Sequence, residues 1–320
     1  MASANGRGPD RATGLWAITS YFNPLSYKSR LTNYRLFRER LGVPLITVEL
    51  AYGSDFELGP GDADLLIQLR GGDVLWQKER LLNIALDRLP EECTKVAFLD
   101  CDILFGDTDW PARTSQLLDR VAIAQLYSDV HYLSAGAMPW ARDVGFADPR
   151  RISIVSAVAS GLAAEACLDA GNGPSVGNYS TGLAWAARRE LLRQHRFYDA
   201  FIIGGADRAM IAAIYGCFEH LVRRQRLNER ELAHFVAWAE PFRNTVDGAV
   251  GFIEGEVFHL WHGALKQRRW YRRYEAMPRF LFDPFNDIAL SENSLWRWSS
   301  HKPDLHGYLQ DFFAERREDG

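Results

Sequence analysis

The chain has 320 residues, 47% of them hydrophobic and 24% charged, the composition of a soluble globular protein with room for a large core. Its formal net charge of −4 gives no global reason to expect nucleic acid or an anionic membrane as partner, and no apolar run approaches the ~20 residues of a transmembrane helix. Residues 1–14 lack the apolar stretch of a signal peptide and read as a disordered lead, and Cys93, Cys101, Cys167 and Cys217 lack metal-type spacing, so free thiols in a cytoplasmic protein are expected.

In chain order, residues 15–19 form an apolar strand, followed by a loop over 20–24. Residues 30–41 read as a basic helix closed by Gly42. A second strand spans 43–50, with Pro44 at its start, and a third spans 64–69, ended by Gly71 and Gly72. A helix over 73–89 carries Leu82, Ala85 and Leu86 at helical spacing and leads through Pro90 and Thr94 to the apolar run 96–99. Residues 121–126 are a fifth strand. Strands alternating with helices argue for an α/β fold with a mostly parallel sheet. Ligands of such sheets sit beyond the carboxyl ends of the strands. Thr19, Ser20, Tyr21, Glu49, Gln68, Asp100 and Asp102 fall at such ends and would line one crevice.

Residues 128–178 are irregular apart from a helix over 154–168, with a turn at Asn172, Gly173 and Pro174. Residues 228–240 read as a helix capped by Asn228, with Glu231 three residues on. Beyond Arg273 the chain is rich in Trp, Phe and Pro, with a final helix over 304–317.

The most informative stretch is Phe98-Leu99-Asp100-Cys101-Asp102-Ile103-Leu104-Phe105, in which two carboxylates interrupt an apolar run. Read as one buried strand, it sets Asp100 and Asp102 on the same side and Cys101 toward the core. Buried carboxylates are costly unless paired or bound to a cation. The pair therefore suits a hard, oxygen-seeking ion, Mn²⁺ or Mg²⁺, that completes its shell with substrate phosphates. The plainer alternative is two acids that end a strand and enter a turn.

Three blocks in order resemble the GT-A-fold nucleotide-sugar glycosyltransferases, the family 2 and galactosyltransferase-like family 7 group. The first is the Lys/Arg-bearing helix around Lys78, Arg80, Leu81, Leu82 and Asn83 ahead of the Asp-Cys-Asp strand. The second runs through Tyr179-Ser180-Thr181-Gly182-Leu183-Ala184-Trp185, then Phe197-Tyr198-Asp199, then Gly204-Gly205-Ala206-Asp207-Arg208. The third is Val257-Phe258-His259-Leu260-Trp261-His262-Gly263. The family commonly has Glu where this chain has Ala206, so only Asp207 carries over.

The resemblance implies a GT-A (Rossmann-like) domain over 15–265, with a nucleotide-sugar half (15–127) and an acceptor and metal half (128–265), and an extension over 266–320 packed on the core. It implies transfer of a hexose from a nucleotide sugar, UDP-linked, to a hydroxyl of a saccharide or glycoconjugate, with inversion. Asp102 would be the direct metal ligand; Asp100 would hold the donor ribose or sugar, or reach the metal through water. His262 or His259 would add a ligand. They face opposite sides if one strand runs through both, so at most one is expected to bind, and either is also a plausible structural histidine.

Asp207 would be the general base, with Gly204 and Gly205 admitting the sugar closely; a helix N-cap is the alternative for Asp207. Lys78 would help hold the nucleotide, against a solvated helix face. Trp185 would stack on an acceptor sugar, against a place in the core. Lys266, Arg268, Arg269, Arg272 and Arg273, interleaved with Trp270, Tyr271 and Tyr274, suit a phosphate-gripping arm, an anionic acceptor including DNA, or a solvated helix. Glycosylation of hydroxylated bases in nucleic acid therefore stays open. So do a sugar-phosphate nucleotidyltransferase, which normally has an Arg-bearing glycine loop absent after residue 19, and an inactive sugar-binding protein.

Overall fold

A computed structural model describes residues 14–141, 144–147, 150–169, 179–264 and 272–320. The expected turn at Asn172–Pro174 and the greater part of the basic-aromatic run, 266–271, lie outside the described residues.

The chain opens with β1 (Leu15–Phe22), α1 (Lys28–Arg40), β2 (Leu45–Ala51), β3 (Leu65–Arg70), α2 (Lys78–Leu86) and β4 (Lys95–Leu99). These strands pair in parallel, and β1 lies between β2 and β4. The chain thus builds outward from β1 to β3, then returns to add β4 on the other side. The two crossover helices consequently cover opposite faces: Phe37 of α1 and Leu41 just after it pack with Leu15 and Ala17, while Leu81, Leu82 and Ala85 of α2 pack with Trp16 and Ile18. Both faces being covered, β1 is apolar at nearly every position rather than alternating. The reversal leaves a crevice beyond the carboxyl ends of β1 and β4, the place where open α/β sheets bind ligands.

The middle of the chain supplies β5 (Ile103–Phe105), α3 (Trp110–Leu118), β6 (Ile123–Gln125), β7 (Asp129–Tyr132), β8 (Arg151–Ser153), α4 (Ile154–Ala159), α5 (Ala164–Asp169), β9 (Tyr179–Ser180), β10 (Ala184–Arg188) and α6 (Arg189–His195). Then follow α7 (Ala206–Tyr215), α8 (Phe218–Gln225), α9 (Glu229–Val246), β11 (Val250–Phe252), β12 (Glu256–His259), β13 (Ile288–Leu290), β14 (Trp296–Trp298) and α10 (Pro303–Ala314). The central sheet has the order β11-β6-β10-β4-β1-β2-β3, in which only β10 is antiparallel to its neighbours. A second sheet, β5-β12-β7-β8-β9, stands beside it, and β13 and β14 form a hairpin. No described helix is long and apolar enough to cross a membrane.

Several sequence expectations change. The run 98–105 is two strands, not one: β4 belongs to the central sheet and β5 to the second, with the Asp-Cys-Asp turn between them. The helix expected over 154–168 is broken at Ser160 and Gly161, the latter at φ +100°, into α4 and α5. The helix capped by Asn228 has both bonds of a capping box, Asn228 Oδ1 accepting from Glu231 N–H and Glu231 Oε2 accepting from Asn228 N–H. It runs on through Pro241 to Val246, because its apolar face, Phe235, Ala239, Phe242 and Val246, is buried on both sides of the proline.

Beyond the undescribed 265–271, residues of 272–320 join the core. Phe312 and Phe313 of α10 join the α2 side, Phe313 stacking on Trp76 with centroids 6.2 Å apart. The Asp319 carboxylate accepts from the Lys28 and Ser29 N–H groups at the start of α1, satisfying donors that a helix N-terminus leaves open.

Candidate active site

Two walls of the β1–β4 crevice carry charged groups. The first is built by register. β5 begins directly after Asp102 and pairs antiparallel with β12, so that His259 lies opposite Ile103. The Leu260 N–H donates to the Asp102 carbonyl at 2.8 Å, fixing the turn against the end of β12. Because β12 ends at His259, the chain turns before His262, and strand alternation no longer separates the two histidines. The imidazoles stack, with centroids 5.0 Å apart. His262 Nε2 is 2.9 Å from Asp102 Oδ2, and His259 Nε2 is 3.9 Å from Asp102 Oδ1. One ligand atom from each of Asp102, His259 and His262 lies within 4.8 Å of the others, and both histidines are buried. The donor set, two imidazoles and a carboxylate, fits a divalent transition metal better than Mg²⁺, which prefers oxygen.

The second wall holds Lys78, Asp100 and Asp207. Lys78, the first residue of α2, lies 2.6 Å from Asp100 Oδ1 and 3.2 Å from Asp207 Oδ1. Burial opposes its charge, but Asp100 and Asp207 outweigh it and hold the ammonium well above its usual range. For Asp100 burial dominates over Lys78 and pushes the carboxyl up to about 6. Asp207 is the second residue of α7 and makes no N-cap bond; Gly205 is the cap residue. Two glycines make room for this wall. A Cβ on Gly205, at φ +102°, would lie 2.1 Å from Tyr274 Oη, and one on Gly182 would lie 2.8 Å from Asp207 Oδ2.

Asn83 anchors the frame, donating to Phe197 O and Asp199 Oδ2 and accepting from Phe197 N–H. Arg80 pairs with the same Asp199 at 3.1 Å. The aromatic-Asp turn 197–199 is thus tied to α2, which carries Lys78.

The cleft between the walls is lined by Ser20, Tyr21, Lys78, Asp100, Asp102, Gly205, Asp207, His259 and His262 among the expected residues. Five others lie off its lining. Thr19 is buried, its hydroxyl donating to Leu99 O. Glu49 is fully buried and accepts from Glu57 N–H and from Gln68 Nε2, so both residues hold the 51–62 loop instead of a ligand. Gly204 lies behind Gly205, its carbonyl bonded by Tyr274 Oη. Trp185 is 1% exposed in the α2-side core, its indole N–H donating to Thr181 O, so it presents no face to a sugar. Cys101, expected in the core, lines the cleft because the turn frees it from strand alternation.

No family model matches the sequence, and no curated protein does. Similar solved structures include a mycobacterial protein, 14% identical over 91% of this chain and 85% of that one, with a TM-score of 0.41. Another is the M. tuberculosis glucosyl-3-phosphoglycerate synthase, at 14% identity, 82% and 78% coverage and a TM-score of 0.37. A third is described as a nucleotide-diphospho-sugar transferase of Desulfovibrio desulfuricans G20, at 11%, 96% and 98%, and 0.34. At these TM-scores the likeness is loose, and the side chains of the cleft are what bear on function.

Among the cleft residues that sequence reasoning missed, four are charged or carry an amide. Arg30 and Asn33 come from α1, which the sequence marks only as a basic helix. Arg316, expected within the final helix, and Glu318 both lie beyond the end of α10 at Ala314, and the docking of α10 brings them in. Burial opposes the charge of Glu318, yet Arg30 and Arg316 hold its carboxyl well below the usual range. Arg273, which the basic-aromatic run contains, also lines the cleft.

Proposed function

We propose that the chain is a metal-dependent glycosyltransferase that moves a hexose from a UDP-linked donor to a hydroxyl of a saccharide or glycoconjugate, with inversion. The observation that carries this reading is the meeting of Asp102, His259 and His262 with Asp207 and Lys78 in one cleft at the ends of β1 and β4. Asp102 and the two histidines would hold Mn²⁺, which would offset charge on the departing nucleoside diphosphate. Arg273 and Arg316 line the same cleft and suit the phosphate oxygens. Asp207 takes the proton from the acceptor hydroxyl as that oxygen attacks the anomeric carbon. Lys78 fixes the Asp207 carboxylate, and the missing side chain of Gly182 leaves space beside it. In this reading residues 15–127 and 128–265 face each other as donor and acceptor halves, and 266–320 adds cations. A nucleic-acid acceptor rests on the basic-aromatic run 266–274, of which only Arg272, Arg273 and Tyr274 are described.

The test is a thermal-shift screen of nucleotide sugars with and without Mn²⁺. A UDP-hexose should raise Tm by several degrees only when Mn²⁺ is present, since a ligand bound by the native state alone stabilises it. No shift with any nucleotide sugar, or a shift with a nucleoside triphosphate and sugar phosphate instead, overturns the reading.

A further inference from the structure

The face of His262 turned away from Asp102 meets an unusual arrangement. Glu318 is fully buried, with Arg30 Nε 2.5 Å from Oε2, and Arg30 Nη2 and Arg316 Nε 2.8 and 2.5 Å from Oε1. His262 Nδ1 is buried with no hydrogen-bond partner, and Glu318 Oε1 stands 3.7 Å from it. The backbone is packed tightly at this point. A Cβ on Gly263 would fall 2.9 Å from the carbonyl oxygens of Arg316 and Arg317. Ser29 Oγ donates to Glu318 O, and Asp319 caps α1, so the segment 316–319 is pinned from both sides.

We propose that Glu318 is the positioning residue of the metal centre: its carboxylate engages the Nδ1 edge of His262 and thereby turns Nε2 toward Asp102. The proposal rests on the metal reading of Asp102, His259 and His262. Metal-binding imidazoles commonly donate their second N–H to a carboxylate, which fixes both tautomer and ring orientation, and loss of that partner costs about 10- to 100-fold in metal affinity. The 3.7 Å separation is within about 1 Å of hydrogen-bond distance, and no described acceptor is bonded to that nitrogen. The competing role is neutralisation of Arg30 and Arg316, which needs the charge of Glu318 but not its reach.

Two variants separate these roles. Glu318→Asp keeps the charge but draws the carboxylate back by one methylene; Glu318→Gln keeps the reach but not the charge. Mn²⁺ affinity of the full chain is read from the electron-paramagnetic-resonance signal of free Mn²⁺, beside a melting curve of the metal-free protein. Glu318→Asp should weaken Mn²⁺ binding about 10-fold or more, whereas Asp319→Ala, which loosens the same segment, should change it less than about 3-fold. Wild-type affinity in Glu318→Asp overturns the proposal and leaves the metal reading standing. A wild-type protein that binds no Mn²⁺ removes both. Should the Glu318 variants fail to fold, nitrogen NMR of His262 in the metal-free wild type decides: Nδ1 should carry a proton, and a bare Nδ1 overturns the proposal.

Discussion

Asp100 and Asp102 stand two residues apart in one turn, and their surroundings differ in kind. Asp100 faces Lys78, a cation that the chain carries itself, 2.6 Å away. Asp102 faces His259 and His262, whose imidazoles are not fixed cations. Burial is costly for either carboxylate without a positive partner. The fold sets an ammonium against the carboxylate on one wall and two imidazoles against it on the other. An Asp-x-Asp motif is thus one feature in sequence but two devices in space. Asp100 helps build the wall that holds Asp207, and Asp102 belongs to the wall that suits a metal.

The largest expected effects break the comparison directly. Asp102→Ala should abolish both transfer and Mn²⁺ binding; near-normal turnover in chelator-treated buffer would show that this wall needs no ion. Asp207→Asn should lower kcat by about 10²- to 10⁴-fold, the usual contribution of a general base, with Mn²⁺ affinity unchanged. Product NMR showing retention of the anomeric configuration would remove Asp207 from that role and leave Asp102 untouched.

A smaller effect tests whether Lys78 is a built-in cation. Lys78→Met leaves two carboxylates facing each other and should cost about 2–3 kcal/mol in urea unfolding. That is below the ~3–5 kcal/mol for breaking a fully buried pair, because the Asp100 and Asp207 side chains keep 25% and 34% exposure. A loss under ~0.5 kcal/mol would make it an ordinary surface ion pair.

The smallest effect comes from an acid given neither kind of partner. Glu231 is buried, accepts only the Asn228 N–H among the described residues, and burial pushes its carboxyl up to about 7. A raised folded value means that the native state binds the extra proton between pH 4.5 and 7. Stability from this group is therefore full below pH 4.5 and is lost as pH rises through 7. Glu231→Gln keeps the capping acceptor and should flatten that decline by on the order of 1–2 kcal/mol. Melting curves at pH 4.5 and 8 check it; an unchanged slope means that Glu231 titrates as in water.

The sequence made the alternation of strands and helices legible because burial on both faces leaves β1 and β2 as plain apolar runs. The same signal misled at 98–105, since an apolar run with a polar break looks alike whether it stays in one sheet or crosses into another. The acids, the histidines and Asp207 were visible as residue types in order. Their grouping came only from the resemblance, and the approach of both histidines to Asp102 was not foreseen, because it depends on the β5–β12 register and on where β12 stops. Trp185 sat among alanines and leucine, a context that pointed to the core as much as to a sugar. Arg316 read as the end of the final helix and Glu318 as a polar tail, and neither reading points to the cleft, since a polar stretch looks the same whether it dangles or docks.

The antiparallel strand β10 also bears on how the chain reaches this state. It lies between β4 and β6, pairing Ala184 with Leu99 and Trp185 with Gln125, yet it follows both by many residues. Until it arrives, β4 and β6 each present a bare, apolar edge. Such edges are templates for pairing with other molecules, and contacts that distant in sequence form slowly. Aggregation during refolding should accordingly be governed by the time the nascent sheet spends with its central place unfilled.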